Sequence, residues 1–212
     1  MAKQITQRTL AGYSDIKINA HYFDDLINQL KNKPQQFIDR VLKPSYWKKG
    51  DVGQMKFDAI VGNPPYMEMD GGAQASAKPI YQHFVTVAKQ LNPKYLSFIM
   101  PTRWYSGGKG LDEFRDEMLN DIHIEKLFDC LSPEVLFPNT NIRGGVCYFL
   151  RNSQFDGKKE KATVVTLENG KNAIITKRPI KTKDIDIFIR HSYSISTVSY
   201  THLRAHETAA NL

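Results

Sequence analysis

The residues Asn63-Pro64-Pro65-Tyr66 combine an amide, two rigid prolines and an aromatic ring within four positions. Each proline fixes its backbone φ, so the loop is stiff and its ends stay at a set separation. The side-chain oxygen of Asn63 and the backbone carbonyl of Pro64 are two acceptors that together can hold both hydrogens of a planar NH2 group. The ring of Tyr66 offers a face for a heterocycle, and such stacking contributes about 1–3 kcal/mol per base. All four are therefore candidate catalytic residues for chemistry at an amine that attacks first and loses its proton afterwards.

A short apolar strand is the element that would position this motif. Residues 57–61 form a nearly continuous apolar run that ends at Gly62, a pattern typical of a buried parallel strand. Open α/β sheets bind ligands at the carboxyl ends of their strands, where the motif would then lie. Asp58, five residues before Asn63, could line a cofactor, but a solvent-facing or capping role fits it equally well. The alternative for the whole motif is a stiff turn without chemistry.

The rest of the chain alternates between strand and helix patterns. We predict two short helices in the first 50 residues, helices at 79–91 and 111–119, and strands at 95–100, 122–130, 146–151 and 162–167. This order predicts an α/β fold, a partial Rossmann-like sheet that is mostly parallel, with an antiparallel end left open.

The composition indicates a polyanionic partner and excludes several protein classes. The 29 Lys and Arg residues against 22 Asp and Glu give a net charge of +7, which suits nucleic acid. No apolar run is long enough for a transmembrane helix and the N-terminus lacks a signal core, so we expect a cytoplasmic protein without a membrane partner. The two cysteines, Cys130 and Cys147, form neither a disulfide framework nor a metal knuckle, and we expect inert core thiols and no metal site.

Two stretches near the end of the chain have unusual sequences. Residues 157–183 contain eight Lys or Arg residues and two acids, which indicates either a solvated face or contact with phosphates. Residues 198–208 match the peptide that a common transposase-type sequencing adapter encodes in one reading frame. We therefore expect residues 197–212 to be an adapter artefact that replaces the natural C-terminus; a natural polar tail is the alternative.

Taken together, these motifs resemble the adenine-N6 DNA methyltransferases, specifically the large restriction–modification methylases with an Asn-Pro-Pro-Tyr motif. The resemblance covers about residues 33–170 and includes residues 67–72, 99–105 and 137–145. It implies that Asn63 and Pro64 bind the target amine, that Tyr66 stacks on a flipped adenine, and that S-adenosylmethionine is the methyl donor. It also implies a double-stranded DNA substrate. On this basis the chain divides into a helical segment of the methyltransferase domain (1–55), a catalytic core (56–170), a basic extended segment (171–196) and the tail (197–212).

Three basic residues are candidates for contact with DNA. Arg103 follows a predicted strand end and could line the base channel, while the neighbouring Trp104 either does the same or packs into the core. Lys109 lies in a glycine-rich loop that either contacts a DNA phosphate or is simply mobile. Arg143, beside Gly144 and Gly145, is assigned to the DNA side by analogy with the family alone.

The chain departs from the family pattern in its first part. Residues 1–56 contain Gly12, Gly50 and Gly53 but no Gly-x-Gly cofactor loop. If residues 57–61 form the fourth strand, roughly 90 residues of preceding βα units are needed. We therefore expect a fragment truncated at both ends and inactive alone, whose cofactor loop, base-recognition domain and restriction or specificity modules lie elsewhere.

Two other functions fit the same residues. A protein glutamine amide also presents an NH2 group on an sp2 carbon, so the motif also suits a glutamine N-methyltransferase. A non-catalytic DNA-binding remnant would explain the missing cofactor loop. The basic charge balance favours nucleic acid over protein as the substrate.

The predicted adapter origin of the tail can be tested by deletion. Residues 197–212 should pack on nothing, because they were never selected together with this core, so removing them should leave the melting temperature unchanged. Differential scanning calorimetry of both chains measures this. A drop of several degrees would correspond to roughly 1 kcal/mol or more for a chain of this size and would identify a native segment.

Overall fold

The computed structural model of the chain describes residues 21–50, 52–68, 77–140, 142–168, 172–198 and 201. These residues fall into two compact units that divide between Lys56 and Phe57. Residues 69–72 and Asn141 of the resemblance, and most of the predicted adapter tail, lie outside the described residues. No helix in the described ranges combines the length and the apolar character that crossing a membrane requires.

The first unit is helical. Its elements are α1 (Leu26–Asn32), α2 (Pro34–Val41) and a 3₁₀ turn (Pro44–Trp47). Pro34 begins α2, where its missing N–H is not needed. The guanidinium of Arg40 lies 5.5–5.9 Å from the ring centres of Phe23, Phe37 and Tyr46, so a cation and aromatic rings pack together in this unit. Both predicted helices are present.

The second unit alternates strands and helices, as predicted. Its strands are β1 (Ala59–Gly62), β2 (Met67–Glu68), β3 (Lys78–Pro79), β4 (Tyr95–Pro101), β5 (Ile124–Cys130), β6 (Val146–Asn152), β7 (Ala162–Glu168) and β8 (Asn172–Arg178). Its helices are α3 (Tyr81–Gln90) and α4 (Asp112–Leu119). Pro79, which the sequence pattern places in the first turn of a helix, pairs instead with Met67 in a small antiparallel ribbon. β8 lies within the predicted basic extended segment.

The main sheet is mixed, so the prediction of a mostly parallel sheet is wrong. Its strand order is β1-β4-β6-β5-β7-β8. Only the β1–β4 and β5–β7 pairs are parallel, whereas β4–β6, β5–β6 and β7–β8 are antiparallel. The physical reason lies in the connections. No α-helix separates β5 from β6, and three residues separate β7 from β8, whereas a parallel return needs a long crossover.

The core lies where α3 and α4 pack with the centre of the sheet. It includes Tyr81, Leu96, Trp104 and Phe114, and each exposes 5% of its surface or less. β1 differs from the prediction of a buried strand, because Val61 is 76% exposed. Ala59 and Val61, which point to the same face of β1, are both exposed, so one face of the apolar run stays uncovered.

A nearly buried carboxylate joins α3, the loop after α4 and β6. Asp121, whose side chain is 4% exposed, lies 2.7 Å from Nζ of Lys89 and 3.0 Å from Nε of Arg151. Its second oxygen accepts a hydrogen bond from the backbone N–H of His123. Burial alone would raise the pKa of Asp121, but the charge and hydrogen bond of Lys89, together with the other donors, outweigh burial and lower that pKa.

Asp121→Asn should therefore lower the free energy of unfolding by on the order of 3 kcal/mol at pH 7, because Arg151 loses its carboxylate partner and Lys89 keeps only its contact with the more exposed Glu117. The folded-state pKa is depressed, so the stabilisation is present above the unfolded pKa of about 3.9 and is lost as the pH falls through the folded value. Urea unfolding of both proteins at neutral and acid pH measures this. The difference between them should narrow in acid, while the exposed-site control Asp186→Asn should change little. A difference that is constant with pH would rule out the carboxylate charge as its source.

Candidate functional site

The motif of residues 63–66 directly follows the end of β1. Asn63 and Pro65 are exposed, Pro64 is buried, and the ring of Tyr66 packs partly against the core. The motif is thus anchored at two of its residues and presents the Asn63 amide to solvent. β1 and β4 run parallel, so the 3₁₀ turn that follows β4 (Thr102–Tyr105) begins at the same edge of the sheet.

The glycine before the motif is required by a close contact. Gly62 lies opposite Phe98 of β4 in the strand register. A Cβ atom at position 62 would approach Cε1 of the Phe98 ring to 2.7 Å, which is closer than packed atoms tolerate. The Phe98 ring is 94% buried, so it has little room to move away. The small residue at the strand end therefore allows Phe98 to pack directly beneath the start of the motif.

Tyr66 is fixed by its backbone and leaves its hydroxyl unused. Its carbonyl accepts a hydrogen bond of 3.1 Å from the N–H of Ile80, and the next residue, Met67, enters the β2–β3 ribbon. The hydroxyl is buried and has no hydrogen-bond partner among the described residues. Burial, and to a lesser extent Cys147, raises the pKa of Tyr66, so the phenol stays protonated at neutral pH. The ring face, and not an ionised oxygen, is what Tyr66 can offer a ligand.

A cavity of about 780 Å³ opens beside the motif and brings together four of the predicted site residues. Those four are Tyr66, Arg103, Lys109 and Arg143. The cavity is lined by Tyr66, Met67, Pro101, Thr102, Arg103, Tyr105, Ser106, Lys109, Ile142, Arg143, Gly144, Ile187, Phe188 and Arg190. Its volume is within the range of small-molecule and cofactor sites. Asn63 is absent from the lining; it lies three positions before Tyr66, on the loop that leads into the cavity.

The lining is cationic and partly aromatic. Arg103, Lys109, Arg143 and Arg190 contribute four positive groups, and none of the described lining residues is acidic. The three basic residues predicted to contact DNA are all exposed. The loop that carries Lys109 is held by Arg115, which donates hydrogen bonds to the carbonyl of Ser106 and to a carboxylate oxygen of Asp112. Such a lining suits a ligand that carries both an aromatic ring and anionic groups.

Trp104 and Asp58, two residues considered for a ligand site, do not line the cavity. Trp104 packs into the core, where its Nε1 donates a hydrogen bond of 3.3 Å to Sγ of Cys147. Burial raises the pKa of that thiol to about 12, so Cys147 is protonated at neutral pH, and both cysteines are buried and unpaired as expected. Asp58 lies just before β1, about 16 Å along an extended chain from Asn63, and does not line the cavity.

Sequence reasoning missed the cavity residues contributed by the segment after β8. Ile187, Phe188 and Arg190 line the cavity although they lie far from the motif in sequence. The one available signal is Asp129, an acid in the apolar strand β5, because a buried carboxylate needs a cation. Its partner is Arg190, 61 positions away, and nothing in the local sequence identifies it. Within the described ranges, no cluster of three or more His, Cys, Asp or Glu residues could hold a metal ion.

Similarity to known proteins shows which family this chain belongs to. Residues 1–137 match the family model described as the Eco57I restriction-modification methylase. The chain belongs to the Eco57I restriction-modification methylase family. This confirms the predicted family resemblance. Of the cavity-lining residues, those from Ile142 to Arg190 lie beyond the matched part of this methylase-family chain.

A curated relative agrees with this membership. The chain is 36% identical over 113 residues to an uncharacterized adenine-specific methylase from Mycoplasma pneumoniae. The aligned part is 52% of this chain and 27% of the relative. The methylase-family chain therefore spans about a quarter of the length of that relative.

Solved structures that are similar to the chain include a subunit of a type I restriction-modification system and a protein–DNA complex. The type I methyltransferase subunit from Streptococcus thermophilus is 13% identical, with a TM-score of 0.37 over 70% of this chain and 32% of that subunit. The DrdV–DNA complex is 14% identical, with a TM-score of 0.42 over 78% of this chain and 19% of the other. With TM-scores this low, these similarities carry no argument about the methylase-family chain.

The contact between Gly62 and Phe98 can be tested with a double-mutant cycle. Gly62→Ala should lower the free energy of unfolding by about 1–3 kcal/mol, because the added methyl group overpacks the strand end. Phe98→Leu makes room for that methyl group, so the double variant should lose less stability than the sum of the two single variants. Urea unfolding of the four proteins measures the coupling. Additive losses would mean that the Phe98 ring is not what excludes a side chain at position 62.

Proposed function

We propose that this chain carries the amine-binding and DNA-contacting residues of an adenine-N6 DNA methyltransferase in a restriction–modification system. The observation that supports the proposal best is the position of Tyr66. Its ring lines a cationic cavity, and the exposed amide of Asn63 stands three residues away on the same rigid loop. A flipped nucleotide has a planar base and an anionic backbone, and it would use both features of this site.

In this proposal each residue of the motif has a separate task. The side-chain oxygen of Asn63 and the carbonyl of Pro64 accept the two hydrogens of the adenine amine and orient its nitrogen lone pair. Pro65 stiffens the turn. Tyr66 stacks on the base through its ring, because its hydroxyl is buried and stays protonated. The amine loses its proton to solvent only after it has been methylated, so no acidic base is needed beside it.

The cavity cations would contact the DNA backbone. Arg103, Lys109 and Arg143 are exposed; the first two lie in the connection between β4 and α4, and Arg143 lies in the loop before β6 on the same cavity. Contacts between cations and phosphates supply most of the affinity of such proteins without reading the base sequence. We therefore assign capture of DNA to these residues and orientation of the amine to the motif.

The methyl donor does not fit this cavity. The methylase family implies S-adenosylmethionine, which would supply an activated methyl group on a positively charged sulfur. Arg103, Lys109 and Arg143, which line the cavity, would repel that charge, and no described lining residue is acidic. We therefore assign none of the cavity residues to the donor. Asp58 is exposed and lies at the opposite end of β1 from the motif, so its role beside a cofactor stays a prediction next to a solvent-facing one.

The cationic lining also favours DNA over the alternative substrates. A protein glutamine amide carries no phosphates, so it would make no use of the cations around the cavity. A remnant that only binds DNA would not need the Asn63 amide displayed beside an aromatic ring. Both alternatives are distinguished from adenine methylation by the assay below.

The decisive assay measures transfer of a labelled methyl group by the full-length gene product. The substrates are PCR-amplified duplex DNA, which carries no modified bases, and a protein extract in parallel. We expect N6-methyladenine as the product. Label on glutamine would replace the proposal with protein methylation, and DNA binding without any transfer would replace it with the remnant.

Variants of the motif should separate chemistry from capture. Asn63→Ala should reduce transfer by about 10²-fold or more while DNA binding stays nearly intact, because preorganised polar groups act on the reacting centre. Tyr66→Ala should weaken transfer by about 5- to 150-fold, the equivalent of about 1–3 kcal/mol of stacking. Tyr66→Phe should retain most activity, because the hydroxyl that it removes makes no hydrogen bond with any described residue.

Asn172→Ala and Tyr193→Ala are matched controls, because both residues are exposed and neither lines the cavity. They should leave transfer unchanged. Equal losses in Tyr66→Phe and Tyr66→Ala would assign the role of Tyr66 to its hydroxyl and contradict stacking.

A further inference from the structure

Arg190 joins three separate parts of the second unit. Its Nε and Nη2 donate hydrogen bonds of 2.8 Å and 2.6 Å to the two carboxylate oxygens of Asp129 in β5. Its Nη1 donates a third hydrogen bond of 2.6 Å to the carbonyl of Gly144, in the loop before β6. The side chain of Asp129 is fully buried, whereas that of Arg190 remains 25% exposed at the cavity.

The loop that carries Arg143 is held from two sides. The carbonyl of Gly144 also accepts a hydrogen bond of 2.6 Å from the hydroxyl of Thr102, and the carbonyl of Gly145 accepts one of 3.1 Å from the N–H of Thr102. Gly145 has a φ of +101°, and a Cβ atom there would lie 2.7 Å from Nη2 of Arg190. Only glycine therefore fits between the guanidinium and the rest of the loop.

Arg190 also fixes the segment that forms another wall of the cavity. Two positions earlier, the N–H of Phe188 donates a hydrogen bond of 2.9 Å to the carbonyl of Tyr105, and the two rings lie 4.5 Å apart. The guanidinium of Arg190 itself lies 5.5 Å from the centre of the Tyr105 ring. The walls formed by residues 142–144 and residues 187–188 thus meet at one side chain.

We propose that Arg190 is a positioning residue for DNA capture, which holds the loop carrying Arg143 and the wall formed by Ile187 and Phe188 in their binding arrangement. This inference rests on the proposed function. Its charge is already matched by Asp129 in a two-point pair, so Arg190 adds little net charge to the cavity. Its three directed hydrogen bonds indicate that geometry, and not attraction of phosphate, is its contribution.

Arg190 and the loop that carries Arg143 lie beyond the residues that match the family model. The family match ends at residue 137, whereas Arg143, Gly144 and Arg190 all follow it. The motif and Asp129 lie inside the matched residues, whereas Gly144 and Arg190 lie outside them. The hydrogen bonds of Arg190 go to Asp129 and Gly144 and not to residues 63–66, so disturbing them should weaken DNA capture and leave the chemistry at the amine unchanged.

The experiment compares four variants of the full-length gene product. Arg190→Gln removes the guanidinium group and its charge. Arg190→Lys keeps the charge but cannot hydrogen-bond to Asp129 and Gly144 at the same time. The double variant Asp129→Asn/Arg190→Gln removes both charges and leaves no buried unpaired carboxylate. It should therefore stay folded even if Arg190→Gln alone does not. Lys183→Gln is the matched control, because it removes one positive charge from an exposed position of the same segment.

Three readouts are collected on each protein with PCR-amplified duplex DNA. These are the Kd for DNA, the KM and kcat of methyl transfer, and the hydrogen exchange of the backbone amides of residues 142–146. In both Arg190 single variants and in the double variant, Kd and KM should rise about tenfold or more, while kcat changes by less than about twofold. Exchange of the loop amides should accelerate in the same three proteins and stay unchanged in Lys183→Gln.

The outcomes separate the two proposals. If the wild-type protein binds DNA but transfers no methyl group to it, the proposed function fails, while Kd and hydrogen exchange still decide the role of Arg190. If the double variant keeps wild-type Kd, KM and loop exchange, the pair has only a structural role and the inference is overturned. A wild-type Kd for Arg190→Lys together with a raised Kd for Arg190→Gln would also overturn it, because charge alone would then be sufficient.

Discussion

A carboxylate buried at the end of β5 constrains the arrangement of the whole cavity. Asp129 is 1% exposed, and an unpaired charge in such a place would cost several kcal/mol. Its partner, Arg190, belongs to the segment after the last strand, so pairing brings that segment back across the sheet. Phe188 then packs against Tyr105. The carbonyl of Gly144 in the loop before β6 accepts a hydrogen bond from Arg190 in addition to the one from Thr102. The cavity walls depend on this one ion pair.

The motif depends on a different constraint, which is steric. β1 and β4 run parallel, and Gly62 meets the ring of Phe98 where β1 ends. The chain can turn there into two prolines, of which Pro64 is buried and holds the turn in place. Asn63 is thereby displayed while Tyr66 reaches the cavity. The edge of the sheet thus presents an exposed amide and an aromatic ring without any buried charge at the motif itself.

The amino-acid sequence predicts some of this well and some of it poorly, for physical reasons. The strand that precedes the motif, the helix ending at Leu119 and the family could be identified because local apolar periodicity and the motif carry them. The relative directions of the strands were predicted wrongly, because the periodicity of apolar residues does not show which strands pair. The exposure of Val61 was missed for a related reason, since an apolar run does not show which of its sides is covered. Arg190 was missed because its partner lies 61 positions away.

The motif and the hydrogen bonds of Arg190 lie in different parts of the chain, so the amino-acid sequences of the two parts can vary to different extents. The residues that we propose to bind the amine lie within the part of the chain that matches the family model, and two of the four cavity cations lie beyond it. Orientation of an NH2 group demands fixed geometry over a few ångströms, so residues 62–66 tolerate little change. Contacts to a nucleic-acid backbone are longer, more numerous and individually weaker, so the loops that make them can change without altering the reaction. A shared ion pair such as Asp129–Arg190 lets those variable loops differ in sequence while the cavity keeps one shape.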